Sequence, residues 1–127
     1  MSLNILLVDD DPTIAPVVED VLNHEKVDMH FDTVASGQAC LEKLRAGFSG
    51  LVFMDIMMPG MDGWQTIEKV VEEGLTLGIA ISMFTAAGDP PAQSRVLAEH
   101  VVNYVRKPFT AQQLMDAVDD ARMMLAH

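Results

Sequence analysis

Short apolar runs alternate along this chain with helix-length stretches whose apolar residues recur every three or four positions. Leu3 to Val8 is apolar at nearly every position, which predicts a strand covered on both faces. Asp11-Pro12 then offers an N-cap with proline at the first helical position. The helix it opens is expected to run to about His24, with Ile14, Val17, Val18, Val21 and Leu22 on one stripe. Val27 to Val34 behaves differently. Val27, Met29, Phe31 and Thr33 alternate with Asp28, His30 and Asp32, a period of two that predicts a strand with one polar face at a sheet edge.

Ser36 is placed to cap a second helix containing Ala39, Cys40 and Leu44 and ending near Gly47. Leu51 to Met54 predicts a third, buried strand that delivers Asp55 to a loop broken by Pro59-Gly60. A third helix is expected from about Gly63 to Glu73, stopped by Gly74. Ile79 to Phe84 predicts a fourth buried strand, and Asp89-Pro90 a fourth helix reaching about Glu99. Val101 to Val105 predicts a fifth strand. Thr110-Ala111-Gln112-Gln113 is a capping box for a last helix striped by Leu114, Ala117, Val118, Ala121 and Leu125.

Strand and helix thus alternate five times. That order predicts an α/β fold, a doubly wound parallel five-stranded sheet with helices on both faces and right-handed crossovers. No linker, repeat or low-complexity segment interrupts the 127 residues, so one domain over 1–127 is expected. In such a fold, sites form where strands end at their carboxyl edge.

Composition narrows the function classes. Nineteen acids against eight bases leave a formal net charge of −11, which argues against binding nucleic acid or an anionic membrane. No apolar run is long enough to span a bilayer and no signal-peptide pattern opens the chain, so a cytoplasmic location is expected. Cys40 is the single cysteine. It excludes an internal disulfide and reads as a small core residue. The four histidines, at 24, 30, 100 and 127, fall in no metal-ligand spacing.

Chemistry concentrates at one predicted rim. Asp9, Asp10 and Asp11 follow the first strand, Asp55 ends the third, Thr85 follows the fourth and Lys107 the fifth. Carboxylates this close raise one another's pKa unless a cation sits among them. Oxygen donors with waters suit Mg²⁺, or Mn²⁺, and not Zn²⁺. A carboxylate there can act as a nucleophile toward phosphorus. Phosphoryl transfer then needs charge neutralisation and alignment, for which a metal, the Lys107 ammonium and the Thr85 hydroxyl are suited. Asp11 and Asp62 read as helix caps. Met54, Met57, Met58 and Met61 read as an adaptable lining, and Trp64 as a partly buried residue of the third helix.

Four stretches, in order and at matching intervals, carry a resemblance over essentially the whole chain. They are Leu6-Leu7-Val8-Asp9-Asp10-Asp11-Pro12, the run Met54-Asp55-Ile56-Met57-Met58-Pro59-Gly60-Met61-Asp62-Gly63, Phe84-Thr85-Ala86, and Tyr104-Val105-Arg106-Lys107-Pro108-Phe109. The chain resembles the receiver domain of two-component response regulators, a chemotaxis-regulator-like, flavodoxin-like fold with strand order 2-1-3-4-5. The resemblance implies that Asp55 is the phosphoacceptor. It further implies that Asp10 ligates Mg²⁺ directly, Asp9 mainly through water, and Met57 through its backbone carbonyl. Thr85 and Lys107 would contact the phosphoryl group, the Lys107–Pro108 bond would be cis, and Tyr104 would be an aromatic switch coupled to Thr85.

The same resemblance implies a signalling domain and not an enzyme in its own right. The phosphoryl donor would be a histidine kinase or a histidine phosphotransfer protein, with small donors such as acetyl phosphate able to substitute. Output would pass to a downstream protein or a fused output domain. The reading surface would be the α4-β5-α5 face, meaning the predicted fourth helix, fifth strand and last helix, with Arg95, Glu99, Asn103, Tyr104, Arg106 and Gln112. A homodimer through that face is among the arrangements the family uses. Neither direct nucleic-acid binding nor a membrane is implied.

Two departures from the family pattern stand out. His100-Val101 occupies the place of a common Gly-Ala, so the junction before the fifth strand is expected to be reshaped, with His100 able to take a left-handed backbone. Met57 and Ala87 stand where residues often tune phosphate lifetime. Neither can position a water, so slow autodephosphorylation is expected. Two rival readings are a constitutive binding module with a relic site and a haloacid-dehalogenase-like phosphatase. The first is opposed by the full set of Asp9, Asp10, Asp55, Thr85 and Lys107. The second wants an acid two residues after its nucleophile, where Met57 stands.

Overall fold

The computed structural model describes residues 2–85 and 97–126, and of Thr85 the backbone alone. Five strands form one sheet: β1 (Leu3–Val8), β2 (Met29–Val34), β3 (Gly50–Asp55), β4 (Ile79–Thr85) and β5 (Val101–Arg106). Their order across the sheet is β2-β1-β3-β4-β5, and every pairing is parallel. Between them run α1 (Ile14–His24), α2 (Gly37–Arg45) and α3 (Gly63–Glu72), and the chain closes with a C-terminal helix, Ala111–Leu125. All strands point the same way, so Val8, Asp55 and Arg106 finish at one edge.

The sheet has two buried faces, as unbroken apolar strands require. On one, Ile5, Leu7, Phe53 and Phe84 pack with Val18 and Leu22 of α1 and with Leu114, Ala117, Val118 and Ala121 of the C-terminal helix. On the other, Leu6, Val8, Val52, Met54 and Met83 pack with Cys40, Leu41 and Leu44 of α2 and with Trp64, Ile67 and Val70 of α3. Alternate residues of β3 serve opposite cores, so all six of its residues are buried. Cys40 is buried as a core residue, and burial pushes its thiol up to about 12.

Several local expectations need correction. The first helix begins at Ile14, with Thr13 as its N-cap and no side-chain capping bond. The Asp11 carboxylate instead accepts from the Thr13 N–H at 2.9 Å and its hydroxyl at 2.7 Å, which closes a separate turn ahead of the helix. Val17 leaves the buried stripe and stays 49% exposed. The second strand starts at Met29, not Val27, because the chain first turns through Lys26 at φ 61°. Its alternation holds from Met29 to Asp32, with Met29 and Phe31 half-buried and His30 and Asp32 exposed, as an edge strand allows. It breaks at Thr33, which is exposed and donates its hydroxyl to the Leu7 carbonyl at 3.1 Å. Trp64 is buried fully into the core, at 5% exposure.

The predicted start of a fourth helix at Asp89-Pro90 lies outside the described residues, as do Ala86, Ala87 and Arg95. Its last turn is described, and it is a 3₁₀ turn over Leu97–His100. His100 does not adopt a left-handed backbone. The tighter winding of the turn brings the chain into β5 without one. The junction is reshaped a few residues later. Ile81 pairs with Val101 and Ser82 with Asn103, so Val102 is an extra residue in a bulge.

Candidate functional site

Two strand ends at the carboxyl edge of the sheet bring the acids together. Asp9 leaves β1 directly and is buried, while Asp10 is exposed. Asp55 is the last residue of β3 and is also buried. One carboxylate oxygen from each of the three lies within 4.8 Å of the others. Two buried carboxylates at that spacing repel unless something positive faces them. Lys107, on the segment after β5, is that cation. Its Nζ lies 3.0 Å from Asp9 Oδ2 and 3.6 Å from Asp55 Oδ1. The Lys107–Pro108 bond is cis, as the resemblance implies.

Backbone donors complete the pocket. The Asp11 N–H donates to Asp9 Oδ1 at 2.9 Å and the Met57 N–H to Asp55 Oδ1 at 3.2 Å. These bonds and Lys107 do not compensate Asp55 fully. Burial first, and the Asp9 carboxylate second, push the Asp55 carboxyl up to about 6, against the opposing pull of Lys107 and the Met57 N–H. A partly desolvated carboxyl beside a like charge is a group that a further cation would return to its ionised form.

The donor set fits a hard divalent ion. The converging atoms are carboxylate oxygens, and no His or Cys belongs to the group. Asp9, Asp10 and Asp55 could therefore hold such an ion together. Met57, two residues after Asp55, is 69% exposed.

The structure brings together Asp9, Asp10, Asp55 and Lys107, with the Met57 backbone against Asp55. Thr85 ends β4 and pairs with Arg106, so its backbone reaches the same edge. Its side chain lies outside the described residues. Tyr104 lies on β5, 42% exposed. Among the expected output residues, Glu99, Tyr104, Arg106 and Gln112 are exposed. Asn103 is half-buried and donates to Asp120 of the C-terminal helix at 2.6 Å.

Two further residues shape the site and carry little signal in the hydrophobic pattern. A Cβ on Gly63 would stand 2.5 Å from the Asp55 carbonyl oxygen and 2.9 Å from the Ile56 Cα. Only glycine lets the start of α3 come this close to the end of β3, where its N–H donates to the Ile56 carbonyl at 2.9 Å. Asp62 then caps α3 through a reciprocal box with Gln65. The other residue is Phe84. It reads as an ordinary strand apolar, and its ring lies beneath the Lys107 ammonium.

Comparison with known proteins places this geometry. The family model described as the response regulator receiver domain matches residues 5–119. A solved receiver domain protein (CheY-like) from Methanospirillum hungatei JF-1 superposes with a TM-score of 0.86 and 38% identity, covering 97% of this chain and 96% of that one. The C4-dicarboxylate transport transcriptional regulatory protein DctD of Rhizobium meliloti (strain 1021) is 29% identical over 90% of this chain, which spans 24% of that protein. The heme response regulator HssR of Staphylococcus epidermidis is 31% identical over 89% of this chain, which spans 48% of it. The chain therefore spans half or less of the length of these curated relatives.

Proposed function

From the chain's place in the response regulator receiver domain family, to which it belongs, we propose that residues 1–127 form a phosphoryl-accepting switch with Asp55 as acceptor. The observation that carries the reading is the cluster of Asp9, Asp10 and Asp55 faced by one ammonium at the carboxyl edge of the sheet. Receiver domains work in two-component systems with histidine kinases and output domains, and they generally bind Mg²⁺ at an acidic pocket. Magnesium held by Asp9, Asp10, Asp55 and the Met57 backbone carbonyl would supply charge neutralisation to the incoming phosphoryl oxygens.

The chain's own residues do the rest. The Asp55 carboxylate attacks the phosphorus of a phosphohistidine on a kinase or phosphotransfer protein. The new Oδ–P bond forms as the N–P bond breaks, and the imidazole, already protonated at its other ring nitrogen, leaves as the neutral ring with the N–P electron pair. Lys107 moves its charge from Asp9 and Asp55 to a phosphoryl oxygen, which needs little travel from 3.0 and 3.6 Å. The Thr85 hydroxyl donates to another oxygen, and Tyr104 follows it. The modified form then biases a two-state surface made by the 3₁₀ turn, β5 and the C-terminal helix. That surface is read by a downstream protein or a fused output domain, or it pairs with a second copy.

Met57 bears on how long the signal lasts. A thioether is a poor hydrogen-bond acceptor and cannot orient an attacking water. Replacing it by asparagine (Met57→Asn) is expected to shorten the phosphoprotein's lifetime several-fold in a phosphate-release assay. An unchanged lifetime would remove Met57 from that role.

The reading is tested with beryllofluoride, a phosphoryl mimic, and Mg²⁺ by amide NMR. Shifts are expected to centre on Asp9, Asp10, Asp55, Met57 and Lys107 and to reach Tyr104, and to vanish in Asp55→Ala. A spectrum of the folded wild-type chain that does not change would leave only a constitutive binding module. Among the described residues no helix is long and apolar enough to cross a membrane.

A further inference from the structure

The carboxylates of Asp9 and Asp55 are not all that holds Lys107. Its ammonium lies 5.2 Å from the centroid of the Phe84 ring, on the face of that ring. A ring face is the negative end of its quadrupole, and a cation within about 6 Å of the centroid is attracted to it. Phe84 is fully buried and pairs with Asp55 across β3 and β4, so it stands level with the acidic cluster. Its plane is fixed by two edge contacts. Phe53 meets it at 5.9 Å and 83°, and Phe109 at 5.2 Å and 75°. Phe53 lies two residues before Asp55, and Phe109 two residues after Lys107. Three rings thus tie the end of β3 to the segment that carries the ammonium.

We propose that Phe84 is a positioning residue, whose ring face holds the Lys107 ammonium at the acidic site by cation–π attraction. A lysine stem has many rotamers, and the Lys107 side chain keeps 23% of its surface in solvent. Two carboxylates alone would leave the long stem more of its rotamers. The ring face adds a restraint that is not a carboxylate. A third carboxylate in that place would also restrain it, but would compete for a metal and repel an arriving phosphoryl anion. The ring offers no ligand atom and no net charge, so it holds the lysine without opposing either. The kinetic consequence rests on the phosphoacceptor reading of Asp55, whereas the contact itself does not.

The test weakens the quadrupole while keeping the ring. Phenylalanine carrying one, two or three fluorines is placed at position 84 by codon suppression in the full chain, beside Phe84→Leu. In the unmodified protein the Lys107 ε-methylene protons are expected upfield of free lysine, from the ring current. They are expected to return toward the free position stepwise with fluorination. The rate of Asp55 modification by acetyl phosphate and Mg²⁺ is expected to fall in the same order, reaching a loss of about five-fold. Thermal midpoints, followed alongside, are expected to stay level across the fluorinated series. Lys107 resonances at the free-lysine position in the unmodified protein would overturn the proposal. A rate that drops in Phe84→Leu but is flat across the fluorinated series would overturn it too, because packing alone would then explain Phe84. If the unmodified protein takes no phosphoryl group, the phosphoacceptor reading fails. The NMR series then decides the contact by itself.

Discussion

Asp55 is pulled in two directions. Burial and the Asp9 carboxylate lift its carboxyl from 3.8 to about 6, while Lys107 and the Met57 N–H act against them. The sign of the pH effect follows from the lift. A carboxyl raised on folding contributes stability that is fully present below about pH 4 and is lost as pH rises through about 6. In magnesium-free buffer the thermal midpoint of the protein is therefore expected to fall, relative to Asp55→Asn, between about pH 4 and about pH 7. Magnesium favours the ionised form, so it is expected to raise the midpoint near neutrality in the unmodified protein and much less in Asp55→Asn. Calorimetry with and without chelator checks both statements. A midpoint difference that ignores pH and metal would mean that Asp55 is not the strained member of the cluster.

At the scale of elements, the site depends on how closely two of them approach and on how one begins. Gly63→Ala would drive a methyl group into the Asp55 carbonyl oxygen and the Ile56 Cα, which are backbone and cannot swing aside. A loss of about 1–3 kcal/mol is expected from urea unfolding, together with weaker magnesium binding. Equal stability would show that the loop after β3 has more room than the structure gives it. Thr110 opens the C-terminal helix three residues after Lys107, with both halves of its box formed with Gln113. Thr110→Ala is expected to cost about 1 kcal/mol, a loss that Thr110→Ser should largely avoid.

These elements also show what the sequence disclosed and why. The cap at Asp62, the box at Thr110 and the alternation of β2 from Met29 to Asp32 depend on near neighbours in the chain, so local spacing revealed them. Local spacing does not fix the start of α1, because an aspartate before proline can serve either a helix or a turn. Here its carboxylate is spent on Thr13. The reshaped entry to β5 was expected from His100, yet it takes the form of a 3₁₀ turn and a bulge at Val102, which depend on register with β4. Trp64 and Val17 differ from expectation because a helical stripe does not say which of its edges a neighbouring element covers.

Across the whole molecule, five parallel strands make distant residues neighbours. Asp9 and Lys107 are 98 positions apart and meet at 3.0 Å. That meeting was legible in the sequence because strict strand–helix alternation sends every strand end to one edge. Which side chains at that edge face one another was not legible from periodicity. The ring of Phe84 under Lys107, and the need for glycine at position 63, come from packing between elements remote in sequence. Net charge of −11 adds a second property at this scale. It favours a cation at the acidic edge.

The central claim is that the carboxylate at the end of β3 receives a phosphoryl group with magnesium beside it. Intact-mass spectrometry of the chain incubated with acetyl phosphate tests it most directly. One added phosphoryl group is expected, mapped to Asp55, absent after chelation and absent in Asp55→Asn. A folded, magnesium-supplied protein that gains no mass, or gains it at another residue, would contradict the claim.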